Sequence, residues 1–167
     1  VHPKFNVPLS RENAAAQLGI DPAMRTMLLM GGSMGYADHV KTLEKLTAIG
    51  LPLQFLVVCG NNKKQLAQVQ QFIARYEGDC VIHGYGFVNN VEVMMSASDC
   101  IVSKPGGLTV SEALAKNLPM LLVDPIPGHE ERNVDFLVNN GMAALITKHF
   151  PIDEAVYELF HNPARLK

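Results

Sequence analysis

A glycine-rich turn joins a short apolar run to a helical pattern near residue 105. The apolar run is Cys100-Ile101-Val102, and the helical pattern begins near Thr109. A strand–loop–helix junction of this kind gathers unpaired backbone N–H groups at the positive end of a helix dipole, which suits a phosphate. Glycines there let the backbone approach a diphosphate closely. The candidate binding residues of this turn are Ser103, Lys104, Pro105, Gly106, Gly107 and Leu108.

Thr109 and Glu112 follow this turn and allow two interpretations. Thr109 can offer a hydroxyl to a ligand or cap the helix, and the T-x-x-E spacing to Glu112 matches a capping box. In the functional interpretation, Glu112 accepts hydrogen bonds from ribose hydroxyls. The spacing alone leaves both interpretations open.

A second unusual stretch, Pro125-Ile126-Pro127-Gly128-His129-Glu130-Glu131-Arg132-Asn133, also lies between an apolar run and a helical pattern. Its prolines and Gly128 stiffen a loop that presents His129 and Glu130, which suits recognition of sugar hydroxyls, and Asn133 follows as a further candidate. Alternatively, His129 is a surface histidine, and the acidic residues serve the dipole of the following helix. Taken with the first turn, this stretch indicates a nucleotide-sugar site.

Two more glycine-rich segments follow apolar runs. Gly31-Gly32-Ser33-Met34-Gly35 lacks the G-x-G-x-x-G spacing of a dinucleotide fold and the Gly-Lys-Ser/Thr of a Walker loop. It predicts either an anion site or only a tight turn, with Gly31, Gly32, Ser33 and Met34 as candidates. The second segment is Gly84-Tyr85-Gly86-Phe87-Val88.

Apolar runs alternate with helical patterns throughout the chain. The predicted strands are Thr26–Met30, Leu53–Cys59, Cys80–His83, Asp99–Val102, Met120–Asp124 and Ala143–Ile146. The predicted helices are Arg11–Leu18 (with Ser10 as N-cap and Gly19 as C-terminal stop), Asp38–Ala48, Lys63–Tyr76, Val91–Ser96, Thr109–Asn117, Glu131–Asn140 and Ile152–Phe160. This alternation predicts one α/β domain, a Rossmann-like parallel sheet with helices on both faces. The glycine-rich segments then share the carboxyl edge of the sheet, where such folds bind ligands.

Composition narrows the possible functions. The 167 residues fit one domain, and 14 basic against 16 acidic residues, without a basic cluster, argue against nucleic acid as a partner. Three cysteines without C-x-x-C spacing predict buried, reduced thiols and a cytoplasmic protein. The sequence shows no metal-ligand spacing of histidines and no D-x-D pair, so we expect no metal. It also shows no signal peptide, and no apolar run approaches a membrane span.

The four glycine-rich and proline-rich segments, in this order, resemble the C-terminal domain of GT-B glycosyltransferases. The resemblance covers about residues 20–147 and is to the group of monogalactosyldiacylglycerol synthase, processive diacylglycerol glucosyltransferase and the N-acetylglucosaminyltransferase that acts on lipid I. The Lys-Pro-Gly-Gly-x-Thr and Pro-Gly-x-Glu forms are most similar to the diacylglycerol enzymes. These enzymes usually have Gln before the Glu, where this chain has His129.

The resemblance implies a role for each segment. Gly84–Val88, including Tyr85, Phe87 and Val88, would pack on uracil through backbone groups, and Glu112 would hold the ribose. The diphosphate would lie between Gly31–Met34 and Gly106–Thr109. His129 and Glu130 would contact the donor sugar.

The resemblance also implies an activity, an inverting and metal-independent transfer of a hexose from a UDP-sugar to a lipid, with diacylglycerol as the expected acceptor. No cofactor is expected. Residues 1–167 would be the donor-binding domain of a GT-B fold, with 1–9 as a remnant of an extended interdomain linker. The acceptor-binding N-terminal domain, the catalytic base and peripheral attachment to the membrane would lie elsewhere in the full-length protein, leaving this fragment inactive alone. Two alternatives are a nucleotide-sugar-binding subunit with a separate membrane partner and an isomerase similar to UDP-N-acetylglucosamine 2-epimerase.

Overall fold

Six parallel strands form the sheet at the centre of the molecule. In the computed structural model, residues 2–30, 39–103, 107–122, 138, 143–146 and 151–161 are described. The strands are β1 Arg25–Met30, β2 Leu53–Val58, β3 Val81–Tyr85, β4 Cys100–Ser103, β5 Met120–Leu122 and β6 Ala143–Leu145. Their order across the sheet is β3-β2-β1-β4-β5-β6, and every neighbouring pair is parallel. This order reverses between β1 and β4, as in doubly wound folds.

Helices cover both faces of the sheet. Among the described residues they are a 3₁₀ helix Pro3–Asn6 and α1 Arg11–Leu18, α2 His39–Thr47, α3 Lys63–Arg75, α4 Val91–Ala97, α5 Gly107–Ala115 and α6 Ile152–His161. The cluster of buried residues on one face unites α2, α3 and α6 with alternate strand residues such as Met27 and Phe55. The cluster on the other face unites the 3₁₀ helix, α4 and α5 with the intervening strand residues, such as Leu28 and Leu56. The period of two along each strand therefore gives the sheet two apolar faces, as a sheet buried on both sides requires.

Helix α1 has the predicted ends and is fastened to the sheet by a buried carboxylate. Ser10 accepts a hydrogen bond from the Asn13 N–H, and Gly19 ends the helix in the left-handed conformation with φ of 69°. Arg11 Nη2 donates to Asp99 Oδ2 at 2.7 Å, and Arg11 Nη1 donates to the other carboxylate oxygen. Asp99 Oδ2 also accepts from the Thr26 N–H at 2.7 Å, so a single carboxylate joins α1, β1 and the start of β4.

The predicted strands and the described helices are confirmed with small differences at their ends, and the predicted α/β fold is therefore confirmed. The predicted strand Met120–Asp124 is observed to Leu122, and residues 123–124 lie outside the described part. Of the predicted helix Glu131–Asn140, only Val138 is described, and it is helical. The three cysteines are free and buried, as predicted.

The prediction of an extended segment before α1 is wrong at its start. Residue His2 is extended, as expected before a proline, but Pro3–Asn6 form a 3₁₀ helix. The cause is burial, because Phe5 is only 3% exposed and belongs to the buried cluster that contains Leu28 and residues of α4 and α5. About 2 kcal/mol of apolar transfer free energy favours this docking over a solvated linker.

Candidate functional site

The strands that precede the predicted glycine-rich segments end at the same, carboxyl edge of the sheet. Met30 pairs with Val58, Val58 pairs with Tyr85, and Ser103 pairs with Leu122, so these strands end at one level. Pairing of β1 with β4 places Leu29 beside Val102, one residue before the end of each strand. The segments that follow them, 31–38 and 104–106, therefore leave the sheet from adjacent strands at the point where the strand order reverses. This crevice is where α/β sheets bind their ligands.

Several predicted site residues lie outside the described part of the chain, so only the elements before and after them locate their segments. They are Gly31, Gly32, Ser33, Met34, Lys104, Pro105, Gly106, His129, Glu130 and Asn133, and for Gly107 and Leu108 only the backbone is described. The proposed roles of these residues remain predictions.

The start of α5 shows that Thr109 is not the cap of this helix. The helix begins at Gly107 rather than at the predicted Thr109, which places Thr109 inside the first helical turn. An N-cap residue must precede the helix, so the Thr109–Glu112 capping box is wrong. Ser103, which ends β4 immediately before the glycine turn, is 2% exposed. With the capping box excluded, the ribose contact is the remaining interpretation of Glu112.

Glu112 lies on α5 in a partly buried, electrostatically mixed environment. Burial raises the pKa of its carboxyl group, Lys4 opposes that rise and Glu92 adds to it. Lys4 Nζ lies 3.1 Å from Glu92 Oε2 and donates to the Asn89 carbonyl at 2.9 Å. Lys4 therefore contacts the segment that follows β3, the predicted uracil site, and its charge also acts on Glu112. A carboxylate held there can accept hydrogen bonds from a ligand hydroxyl.

Segment Gly84–Val88 divides into a strand part and an exposed part. A Cβ on Gly84 would lie 3.3 Å from both Gln70 Nε2 and Val69 Cγ1, so packing against α3 leaves little room for a side chain at this position. The Tyr85 carbonyl accepts from the Cys59 N–H at 2.8 Å. Beyond the strand, Phe87 is 74% exposed, and Val88 packs against the core face shared with α4 and α5. Among the described residues at this edge, Phe87 therefore offers an aromatic ring that is open to a flat ligand.

A buried polar cluster at the same edge was not predicted from the sequence. His39, the first residue of α2, is 3% exposed, and its Nε2 lies 3.1 Å from the Val58 carbonyl oxygen. The His39 N–H donates to Gln65 Oε1 at 3.0 Å, and the Gln65 N–H donates to Asn62 Oδ1 at 3.0 Å. The sequence offers one signal, Asn62 before the helical pattern at Lys63, whereas the His39 contacts depend on partners 19 and 26 residues away.

Cys59 follows β2 at this edge but is not a candidate nucleophile. Burial raises the pKa of its thiol to about 11, so the thiol is protonated near neutral pH and only the thiolate is a strong nucleophile. Within the described ranges, no group of three or more His, Cys, Asp or Glu side chains is arranged to hold a metal ion.

A cavity of about 600 Å³ lies at the opposite, amino-terminal edge of the sheet. It is bounded by the leading segment around Val7 and by Ser98, Asp99 and Pro119, which precede β4 and β5. Since α/β sheets bind ligands at their carboxyl ends, we assign the functional site to the edge with the glycine-rich segments and not to this cavity.

Comparison with known proteins connects this geometry to glycosyltransferases. The chain is 28% identical over 170 residues to the processive diacylglycerol beta-glucosyltransferase of Bacillus pumilus, a match that covers all of this chain and 43% of that protein. It is 36% identical over 149 residues to a probable chloroplastic monogalactosyldiacylglycerol synthase 3 of Oryza sativa subsp. japonica, covering 84% of this chain and 28% of that protein. The chain thus spans less than half the length of either relative.

The fold comparison agrees. The crystal structure of MurG from Acinetobacter baumannii superimposes with a TM-score of 0.72 over 96% of this chain and 47% of that one, at 22% identity. This confirms the predicted fold, one half of a GT-B glycosyltransferase. No helix in the described residues has both the length and the apolar character that a membrane crossing demands. Residues 26–167 match the C-terminal domain of glycosyltransferase family 28, and the chain belongs to that family.

Proposed function

We propose that this chain is the UDP-sugar-binding domain of an inverting hexosyltransferase that acts on a lipid, with diacylglycerol as the acceptor. One observation carries the proposal: the segments containing Gly31–Met34 and Lys104–Gly106 leave adjacent strands at the switch point of the sheet. A diphosphate in that crevice would meet the amino-terminal end of α5, where backbone N–H groups and the helix dipole favour negative charge.

The nucleoside would lie on the side of the crevice formed by β3 and α5. Phe87, with its exposed ring, and Val88 would contact uracil, and Glu112 would accept hydrogen bonds from the ribose hydroxyls. The positive charge of Lys4 compensates the negative charges of Glu92 and Glu112, which are both partly buried. His129 and Glu130, on the segment after β5, would then reach the donor sugar.

The reaction needs little more than charge stabilisation from this domain. When the glycosidic bond to the diphosphate breaks, negative charge grows on the departing UDP. Preorganised amides and the dipole of α5 would stabilise that charge, and they do so without reorganising during the reaction. The domain would then need neither a metal nor a cofactor. The catalytic base and the acceptor lipid would be held by the part of the full-length protein that this chain does not span, working at the membrane surface on the cytoplasmic side.

The names of the relatives support the lipid acceptor. A glucosyltransferase that uses diacylglycerol and a monogalactosyldiacylglycerol synthase both align with most or all of this chain. They differ in the sugar, so the relatives favour a hexose donor without choosing between glucose and galactose.

An assay of the full-length protein tests the proposed reaction. The assay supplies UDP-glucose, UDP-galactose or UDP-N-acetylglucosamine together with diacylglycerol or lipid I. The products are separated and identified by mass spectrometry. We expect hexose transfer from UDP-glucose or UDP-galactose to diacylglycerol. Transfer to lipid I alone would contradict the proposed acceptor, and epimerisation of UDP-N-acetylglucosamine without any acceptor would identify an isomerase.

A further inference from the structure

We propose that Lys4 is a positioning residue for the nucleoside of the donor, because it joins the segment that carries Phe87 to the 3₁₀ helix packed against α5, the helix of Glu112. This inference rests on the proposed function, in which Phe87 contacts uracil and Glu112 contacts the ribose. The glycine-rich and proline-rich motifs assign no role to Lys4.

The 3₁₀ helix fixes the backbone of Lys4. His2, the N-cap of this helix, accepts a hydrogen bond at Nδ1 from the Lys4 N–H at 3.1 Å. Phe5, the next residue, is 3% exposed and belongs to the buried cluster that contains Met94 of α4 and Val110 of α5. The backbone of Lys4 is thereby held beside α4 and α5.

The side chain of Lys4 reaches the segment between β3 and α4. Its Nζ donates to the Asn89 carbonyl oxygen at 2.9 Å and lies 3.1 Å from Oε2 of Glu92, in the first turn of α4. Nζ also lies 5.8 Å from the centre of the Phe5 ring, within the range of a cation–π contact. Phe87, two residues before Asn89, is 74% exposed. Lys4 therefore restrains the downstream end of the short segment that presents the Phe87 ring.

Charge connects Lys4 to Glu112. Oε2 of Glu92 is buried and has no hydrogen-bond donor among the described residues, and the positive charge of Lys4 compensates it. Burial is the largest cause of the raised pKa of Glu112; Lys4 and the amino terminus of the chain oppose the rise, and Glu92 adds to it. Lys116, four residues after Glu112, donates to the Val7 carbonyl at 3.1 Å. Lys4 and Glu92 thus form one ion pair but act on Glu112 in opposite directions.

This arrangement predicts that Lys4→Met weakens the binding of uridine and of UDP by the same factor, about threefold to tenfold at pH 7. Met keeps an apolar stem beside Phe5 but supplies neither the donor to Asn89 nor the positive charge. Lys4→Arg should bind both ligands within about twofold of wild type, because the guanidinium keeps a donor and a positive charge. NMR titration with uridine and calorimetry with UDP measure the affinities.

The pH dependence of uridine binding separates this role from a merely structural one. Uridine has no phosphate that titrates, so its affinity reports on the protein. In the wild type, affinity should fall as the pH is lowered through the pKa of Glu112, because the ionised carboxylate accepts from the ribose. Without the charge of Lys4 the pKa of Glu112 lies higher, so in Lys4→Met the fall should begin at a higher pH. Glu92→Gln removes a like charge, so in this variant the fall should begin at a lower pH than in the wild type.

Arg75 provides a matched control on the opposite face of the sheet. Its Nη2 lies 3.4 Å from Glu44 Oε1, and its Cζ lies 5.2 Å from the centre of the Phe72 ring. Like Lys4, it pairs with a Glu of another element and with a Phe, but it ends α3, towards the amino-terminal edge of the sheet. Arg75→Met should bind uridine within about twofold of wild type and keep its pH profile.

Glu92→Gln keeps the inference testable if Lys4→Met does not fold. Unchanged uridine affinity in a folded Lys4→Met, an unchanged pH profile in Glu92→Gln, or shifts of both profiles in the same direction would overturn the positioning role. Uridine binding that does not depend on pH in the wild type would contradict the ribose role of Glu112 and this inference with it. A wild-type protein that binds neither uridine nor UDP would instead contradict the proposed function itself.

Discussion

Glu112→Gln should weaken UDP binding by about 1–3 kcal/mol, the range for losing hydrogen bonds to a charged acceptor. In the proposed site, the ionised carboxylate accepts from both ribose hydroxyls, whereas an amide offers a single neutral oxygen as acceptor. The helix itself should not suffer, because α5 begins at Gly107 and Glu112 is not part of its cap.

The same variant should not lose stability near neutral pH. Burial raises the pKa of Glu112 above its ordinary value, so the folded protein holds this proton more tightly than the unfolded chain does. The stabilisation that protonated Glu112 gives the fold is therefore fully present below pH about 4.5, and it is lost as the pH rises through the raised pKa. Because Gln cannot ionise, the stability of the Gln variant does not decline in this way. A loss of ligand affinity together with unchanged or increased stability at pH 7 is typical of a binding residue.

Calorimetry with UDP and urea unfolding at pH 7 check both parts of the prediction. UDP affinity of the wild type should also fall as pH is lowered through the pKa of Glu112, and that pH dependence should be absent in the Gln variant. Unchanged UDP affinity in Glu112→Gln would exclude the ribose role. A large loss of stability would show that Glu112 has a structural role after all.

Asp99→Ala should lower the free energy of unfolding by about 3 kcal/mol, at the lower end of the range for breaking a buried ion pair. The carboxylate of Asp99 is 8% exposed and accepts from two nitrogens of Arg11 and from the Thr26 N–H. Its removal leaves a guanidinium and a backbone donor without their main partner. The estimate lies at the lower end because the Arg11 side chain is 28% exposed and water can reach it.

Urea unfolding measures this loss, and Asp21→Ala is the matched control. Asp21 is an exposed aspartate whose carboxylate accepts a single local hydrogen bond, from the Ala23 N–H at 2.9 Å, so its removal should cost less than about 1 kcal/mol. If Asp99→Ala costs no more than Asp21→Ala, the carboxylate does not fasten α1 to the sheet.

The elements predictable from sequence are those whose signal is local. Strands β2 and β4 are apolar except for Gln54 and the last residue Ser103, and such runs indicate strands buried on both faces whatever their neighbours are. The ends of α1 were predictable because Ser10 and Gly19 act on their own helix. The carboxyl-edge position of the glycine segments followed from the alternation of strands and helices alone.

The features that escaped prediction depend on distant partners. The 3₁₀ helix at the start forms because Phe5 is buried against Leu28 and residues of α4 and α5, which no pattern in residues 2–9 reveals. Thr109 matched a capping box, but the helix begins two residues earlier, since a sequence pattern does not fix the first turn. His39 shows no ligand spacing, and its buried hydrogen bonds are to Val58 and Gln65, which are remote in sequence.

The most direct test of the proposed donor site is calorimetry of the purified protein with UDP and ADP, each with Mg²⁺ and with a chelator in its place. The proposed donor site, with the diphosphate at the ends of β1 and β4, uracil against Phe87 and the ribose against Glu112, predicts that UDP binds more tightly than ADP and that its affinity is the same with or without the metal. Equal affinity for the two nucleotides, or UDP binding only when Mg²⁺ is present, would contradict the assignment of this edge as a metal-independent UDP-sugar site.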